Sequence, residues 1–281
     1  MEKVNRNAMT VDVEDYFQVA AFANQVPFSD WGQSKFPIRA ENNTDKLLDL
    51  FAKHNAKATF FVLGWIAEAR PQIIKKIVAQ GHELASHGYA HQKANTQTPE
   101  SFRADVYRSK AFLEDTAGVA IKGYRAPSFS IDPSNEWAFE ILSELGFTFS
   151  SSTYPIKHDL YGAPNWPRYK YLRPEGIIEI PIPTSRTAGI SLPVGGGGFF
   201  RLYPYLLSKL LINGFIKQTQ QPYCFYFHPW EIDHTQPRMT GAPLKSKFRH
   251  YLNLHRMEGR LERLLHDFNW DTMSKVYQLH G

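Results

Sequence analysis

His87 and His91 stand four residues apart in the stretch Gly81-His82-Glu83-Leu84-Ala85-Ser86-His87-Gly88-Tyr89-Ala90-His91, where an alternating, strand-like run breaks at Gly88. Imidazole is the commonest protein metal ligand at neutral pH. On a helical turn, positions i and i+4 share a face, so both rings can reach one point. Two histidines on a turn that closes a strand make two-thirds of a His₂-carboxylate metal site with positions left open for water. Carboxylates end another short strand, Thr10-Val11-Asp12-Val13-Glu14-Asp15; Arg125 ends a third and His228 a fourth. In a parallel α/β barrel such strand ends converge on one face. Each group alone has a plainer reading: surface histidines, a surface ion pair, a capped structural histidine. Four of them in this order favour one site.

The elements that would position these groups follow one another as strand and helix. Residues Ala8 to Val13, Ala58 to Leu63, the His87 run, Ile121 to Arg125 and Phe147 to Phe149 read as strands. Between them, Asn43 or Thr44 can cap a helix carrying Leu47, Leu48 and Phe51. Pro71 and Pro99 fit the first turns of two more, stopped by Gly81 and Gly118, and Pro133 opens another. That alternation implies parallel strands with right-handed crossovers. Residues 16–40 read as a long ordered loop and 151–175 as an excursion rich in Pro, Tyr and Trp. Ile177 to Ile182 reads as a strand, Leu202 to Ile216 as one helix and Tyr223 to His228 as an apolar strand. Phe248 to Phe268 reads as one long amphipathic helix and Trp270 to Val276 as a last strand. No repeat, linker or domain boundary is legible, so one domain over 1–281 is expected, with a core at about 8–230 and a helical extension at 244–281.

Composition narrows the function classes. The 281 residues are 43% hydrophobic and 14% aromatic, a well-cored globular chain. Net charge is +5 without a Lys/Arg run, so nucleic acid is not an expected partner. The single cysteine, Cys224, excludes an intrachain disulfide and reads as a buried thiol. Gly195-Gly196-Gly197-Gly198 lacks the Lys-Ser/Thr of a phosphate loop and reads as a flexible turn. The start of the chain leads directly into a strand, and no apolar stretch of ~20 residues occurs. A cytoplasmic protein without a transmembrane segment is therefore the expectation; oligomeric state is not legible.

The motifs resemble those of the polysaccharide deacetylase family, whose shared part is the NodB-type domain of carbohydrate esterase family 4. Thr10-Val11-Asp12-Val13-Glu14-Asp15 resembles its acidic first strand, and Ser86-His87-Gly88-Tyr89-Ala90-His91 its His-Ser/Thr-x-x-His metal motif in outline. Gly123-Tyr124-Arg125-Ala126-Pro127 is similar to its Arg-x-Pro motif, and Tyr226-Phe227-His228-Pro229 to its Leu-x-His motif. The resemblance runs from about residue 8 to 230. Asp-Val-Glu-Asp, the Phe-Phe-Arg-Leu segment, His-Pro-Trp-Glu-Ile-Asp and Phe-Arg-His-Tyr are similar to the subgroup of exopolysaccharide gene clusters, which extends it over nearly the whole chain.

The resemblance implies an α/β fold, a distorted (β/α) barrel of NodB type, and metal-dependent removal of N-acetyl groups from the amino sugars of a polysaccharide or its precursor. It implies one divalent ion, Zn²⁺ by expectation and Ni²⁺ or Co²⁺ as alternatives. The ion is expected on His87, His91 and either Glu14 or Asp15, with Glu14 favoured because it shares a strand face with Asp12. Asp12 is expected as general base, Arg125 as the group that keeps Asp12 ionised and aimed, and His228 as general acid. Tyr226, Pro127 and Trp230 are expected to meet the acetylated glycan, with Trp31 and Trp166 as further candidates for stacking on sugar rings. Val13 stands where the family has a second adjacent aspartate, and Tyr226 where it has the leucine that lines the acetyl pocket. An aspartate partner for His228 is not legible near Ser150-Ser151-Ser152; Glu231 or Asp233 are the alternatives. His82 and Glu83 read as structural. Two rival readings are a metal-dependent amidohydrolase acting on a small non-sugar substrate and a carbohydrate-binding protein without turnover.

Overall fold

The computed structural model describes residues 6–19, 22, 25–156, 162–187 and 190–279. Its first half repeats strand and helix: β1 (Arg6–Val13), α1 (Ala40–Lys53), β2 (Thr59–Val62), α2 (Gly64–Ala69), α3 (Pro71–Ala79), β3 (Glu83–Ser86), α4 (Pro99–Ala117), β4 (Gly123–Tyr124), α5 (Trp137–Glu144) and β5 (Phe149–Ser150). The second half holds β6 (Tyr171–Leu172), β7 (Ile178–Glu179), β8 (Thr184–Thr187), β9 (Ile190–Pro193), α6 (Gly197–Leu202), α7 (Tyr205–Thr219) and β10 (Cys224–Phe227). It ends with α8 (Leu244–Tyr251), α9 (Leu254–Asp267), β11 (Asn269–Asp271) and α10 (Met273–Tyr277).

The main sheet runs β10-β1-β2-β3-β4-β5-β7-β6, and β11 pairs with the start of β1. Every pairing is parallel except that of β6 with β7. The fold is α/β, and its sheet curls into a half-barrel. The gap between β7 and β10 is spanned by thinner connections: a bridge of Gly196 to Tyr226, with Tyr226 donating its N–H to Gly195 O at 2.8 Å.

Side-chain parity sorts the strands into two faces. Met9, Val11 and Val13 of β1, Phe60 and Val62 of β2, Leu84 of β3 and Phe225 and Phe227 of β10 join the large cluster under the helices. Their alternate neighbours Ala8, Phe61, Ala85 and Cys224 meet inside the curl. Continuing that inner register gives Asp12 and Glu14 after Ala8, His87 after Ala85, and Tyr226 and His228 after Cys224. α10 covers the opposite end. Its Met273 and Tyr277 join the inner cluster, and Met273 and Ser274 donate their N–H groups to Thr59 Oγ1 (2.8 Å) and Glu83 Oε2 (3.2 Å), the first residues of β2 and β3. The strand C-termini are left as the open face.

Several expected elements differ in extent. The expected helix Leu202 to Ile216 is α7, which starts at Tyr205 behind its N-cap Pro204 and runs on to Thr219, while Leu202 ends the short α6. The expected helix Phe248 to Phe268 is two, broken at Asn253 with φ +53°. The expected strand Trp270 to Val276 is short β11 followed by α10, which Thr272 caps.

Candidate active site

Glu14, His87 and His91 each offer a ligand atom, all within 4.8 Å of one another. His91 Nε2 lies 2.5 Å from Glu14 Oε2. The other carboxylate oxygen, Oε1, accepts from Trp230 Nε1 at 3.2 Å and lies 3.5 Å from His228 Nε2. His87 Nδ1 donates to Arg125 O at 2.8 Å. That bond fixes the tautomer and leaves Nε2 as a lone-pair donor. Burial pushes the His87 imidazole down to about 4, against the pull of Asp12 and Glu14, so the ring is neutral at physiological pH. Burial would raise the Glu14 carboxyl, yet His91, His228 and His87 around it hold it far below the usual range. Among the described residues, Glu14 Oε2 has no hydrogen-bond donor other than this imidazole cluster. Two imidazole nitrogens and one carboxylate oxygen, converging within 4.8 Å, fit a divalent cation.

The two histidines do not sit on a helical turn. After β3 the chain runs through an irregular loop with Gly88 at φ +76° and His91 at φ +53°. Asp105 of α4 ties this loop down: its carboxylate accepts from the N–H of Tyr89 (2.9 Å) and of Ala90 (3.3 Å). The imidazoles meet edge-on with centroids 5.4 Å apart.

Asp15 is not the carboxylate that meets them. Its Oδ2 accepts from the N–H of Arg39 (2.6 Å) and Ala40 (2.9 Å), and Oδ1 from that of Tyr16 (3.0 Å). It therefore caps the start of α1 from outside the helix, the task expected of Asn43 or Thr44. One residue beyond the inner parity of β1, its side chain is turned to the helix layer.

Asp12 and Arg125 form a buried pair, 2.5 Å from Nη1 to Oδ1. The guanidinium is fully enclosed. Nη1 also donates to Thr10 Oγ1 (2.9 Å), Nε to Ser151 O (3.1 Å) and Nη2 to Ser151 Oγ (3.0 Å), and its carbon lies 4.1 Å from the Phe61 ring centre. Every neighbour fixes its plane, so Asp12 is held in one orientation.

His228 forms a second pair. Its Nδ1 lies 2.9 Å from Glu231 Oε1, whose partner oxygen accepts from Arg201 Nε at 2.6 Å. Burial lowers the His228 pKa, but Glu14, Glu231 and Asp12 outweigh it and carry the imidazole up to about 9. Arg201, itself buried, donates further to the carbonyls of Arg249, His250 and Leu252. Asp233, the other expected partner of His228, is engaged by Arg39 at 2.5 and 2.9 Å.

These groups line a cavity of about 220 Å³, with Asp12, Glu14, His87, His91 and His228 on its floor and Phe129, Tyr226, Gly198, Ser246 and Arg249 around it. Tyr226 lines it as expected of a pocket wall, set edge-on to Phe129 at 4.7 Å. Pro127 does not line the cavity; it starts the buried turn that presents Ser128 and Phe129, both at positive φ. Trp230 also lines the cavity, but it is 5% exposed and its ring stacks on those of His228 (5.2 Å) and His250 (4.2 Å), with its N–H on Glu14. Trp31 packs on Trp65 and Trp166 on Phe139, away from these lining residues.

Residues 30–150 match the polysaccharide deacetylase family, and residues 151–278 match a domain of unknown function, DUF3473. Residues 30–150 thus carry a polysaccharide deacetylase domain. The pairing of the two is that of the exopolysaccharide-cluster type. A peptidoglycan-N-acetylglucosamine deacetylase of Bacillus cereus is 37% identical over 98 residues, 34% of this chain and 36% of that protein. A chitooligosaccharide deacetylase of Sinorhizobium fredii is 52% identical over 48 residues, 17% of this chain and 22% of the relative. The chain thus spans less than half the length of these curated relatives. A Mycobacterium smegmatis protein described as a polysaccharide deacetylase superposes over 99% of this chain and 91% of its own, with TM-score 0.65 and 19% identity. A CE4-family pseudoenzyme of Bacillus anthracis covers 100% of this chain and 67% of its own at TM-score 0.52 and 14% identity. Since a pseudoenzyme shares the deacetylase fold, turnover has to be argued from the site residues.

Four contributors to the site lie outside the expected set: Arg201, Asp105, His250 and the glycine run. Arg201 sits in the Phe-Phe-Arg-Leu segment, a signal of subgroup but not of position. The glycines are a close approach and not a flexible turn. A Cβ on Gly196 would fall 2.6 Å from Tyr226 Oη, and one on Gly197 2.3 Å from Glu231 Oε1.

Proposed function

We propose that the chain hydrolyses N-acetyl groups on the amino sugars of an acetylated glycan, of exopolysaccharide or peptidoglycan type, or of its precursor. The observation that supports this most is the pairing of Asp12 with Arg125 and of His228 with Glu231 around one Glu14–His87–His91 cluster in one cavity. Amide hydrolysis needs a base, an acid and charge stabilisation at one carbon, and those are the roles these groups fit. Glu14, His87 and His91 would hold a divalent ion, Zn²⁺ by the chemistry of the donor set, with Ni²⁺ or Co²⁺ able to use the same ligands. When bound, such an ion polarises a carbonyl and makes water more acidic.

The protein's own groups do the rest. Asp12 Oδ accepts the proton of the attacking water, and Arg125 keeps that oxygen aimed. His228 holds a proton at Nε2 and delivers it to the departing amine nitrogen, while Glu231 holds Nδ1 and so fixes the ring. Tyr226 and Phe129 form an apolar wall suited to a small acyl group. The test is acetate release from N-acetylglucosamine oligomers by the metal-loaded protein. Release that His87→Ala abolishes together with metal binding supports the reading. A stoichiometric metal with no acetate released from any acetylated glycan, or hydrolysis confined to small non-sugar amides, would overturn it.

A further inference from the structure

Outside the cavity that holds the proposed catalytic groups, α7 is apolar on its outer side. Leu206 (78% exposed) and Leu210 (67%) stand one turn apart, and Leu207 and, just before the helix, Leu202 are also exposed. Core packing explains Tyr205, Ile212 and Phe215 on the other side of α7, but not these four. An exposed cluster of large aliphatic groups on one helix is a costly surface for a chain in water unless something covers it.

Beside Leu206 lies an open groove of about 950 Å³ between α7 and α9, lined by Arg256, Arg260 and Arg263. The acids that line it are already engaged: Glu262 pairs with Lys53, and Asp267 with Lys209 at 2.9 Å. Arg260 donates to the carbonyls of Phe200 and Arg201, which fixes its plane, and its neighbours Arg256 and Arg263 join burial in depressing its pKa. Among the described residues, Arg256 and Arg263 make no ion pair.

We infer that this face docks on an anionic lipid surface, with the leucines of α7 in the acyl boundary and the arginines of α9 on lipid phosphates. Charge decides among occupants. A second copy related by a twofold axis would set arginine against arginine, and an apolar protein groove would leave the guanidinium groups unneutralised. A phospholipid leaflet offers hydrocarbon and phosphate side by side, at the depth difference that an interfacial helix exploits. No helix among the described residues is long and apolar enough to cross a membrane, so the contact is with the surface.

The experiment is vesicle co-sedimentation with the full chain, using phosphatidylcholine vesicles and vesicles of equal parts phosphatidylcholine and phosphatidylglycerol. It reads binding and needs no turnover, so it stands or falls independently of the deacetylase reading. Binding to the mixed vesicles only, weakening as salt rises, is expected. Arg256→Gln with Arg263→Gln should weaken it by roughly fivefold per charge removed. Leu206→Glu with Leu210→Glu should abolish it, with thermal unfolding unchanged because both side chains face outward. Three results would overturn the inference: no binding to either vesicle, binding indifferent to both pairs of substitutions, or a wild-type dimer that the leucine substitutions dissolve.

Discussion

Arg125 is the residue on which the proposed base, Asp12, depends, and its burial sets the cost of disturbing it. Asp12→Asn keeps the shape of the side chain but removes both basicity and the charge that balances Arg125. Turnover should fall ~10²–10⁴-fold while metal stoichiometry is retained. Removing one partner of a buried pair should also cost about 3–5 kcal/mol of stability. Acetate release, metal analysis and chemical denaturation on the same variant check all three; near-native turnover would make another carboxylate the base. His228 gives a pH prediction. Its pKa in the folded, metal-free chain stands at about 9 against 6.5 for an ordinary histidine. A raised pKa contributes stability that is fully present below about 6.5 and is lost as pH rises through about 9. Metal-free protein should therefore lose stability across that window, and His228→Gln should flatten the loss. Melting curves at a series of pH values test this, and equal pH slopes for both proteins would refute the assignment. At this scale the sequence was informative because parity is a local property. Asp12, Glu14, His87 and His228 follow from a period of two along their own strands, whereas Arg201 reaches Glu231 from thirty positions away in the chain and carries no local signal.

The loop after β3 shows what elements add to residues. A helical turn was expected to bring His87 and His91 together; a loop with two left-handed residues does so, and Asp105 of α4 holds its amides. Spacing alone cannot distinguish these, because both put the rings on one side. Asp105→Ala should therefore lower metal affinity by ~10–100-fold, the usual cost of losing a group that orients ligands, while the far-ultraviolet spectrum stays the same. Competitive metal titration measures this, and unchanged affinity would show that the loop holds itself. Gly88→Ala should act on the same element through the backbone. The left-handed φ costs about 1–3 kcal/mol for a residue with a Cβ, and that Cβ would fall 2.9 Å from Asp105 Oδ2. The misjudged helix Phe248 to Phe268 has a like cause. Hydrophobic periodicity runs unbroken through Asn253, so pattern joined what backbone chemistry separates.

At the scale of the whole molecule, the strand order was legible as far as β5 and much less so beyond it. The first half alternates strand and helix with strong apolar runs, while β6, β7 and β11 are two or three residues long and take their identity from their partners. The two family matches meet at residue 150, yet the sheet crosses that boundary: β10 and β11 from the second half flank β1, and β7 extends β5. The described part of the C-terminal segment, 244–279, reaches into the curl of the sheet. Tyr277 and Met273 fill the inner cluster against Ala8 and Phe61, and β11 pairs with Arg6 to Ala8. Arg201, which steadies Glu231, spends donors on the carbonyls of Arg249, His250 and Leu252, and His250 covers the ring of Trp230. A chain ending at residue 243 would lose all of this at once. It would expose the strand N-termini, leave a buried guanidinium with most of its acceptors gone, and free the indole that bonds Glu14. We predict that this truncated chain fails to unfold cooperatively and binds no stoichiometric metal, because one group of contacts supports both the barrel floor and the acid side of the site. Thermal unfolding and metal analysis of the truncated protein check it. A cooperative transition with full metal binding would instead show that residues 244–281 are an appendage, and would move the organising role back to the first 243 residues.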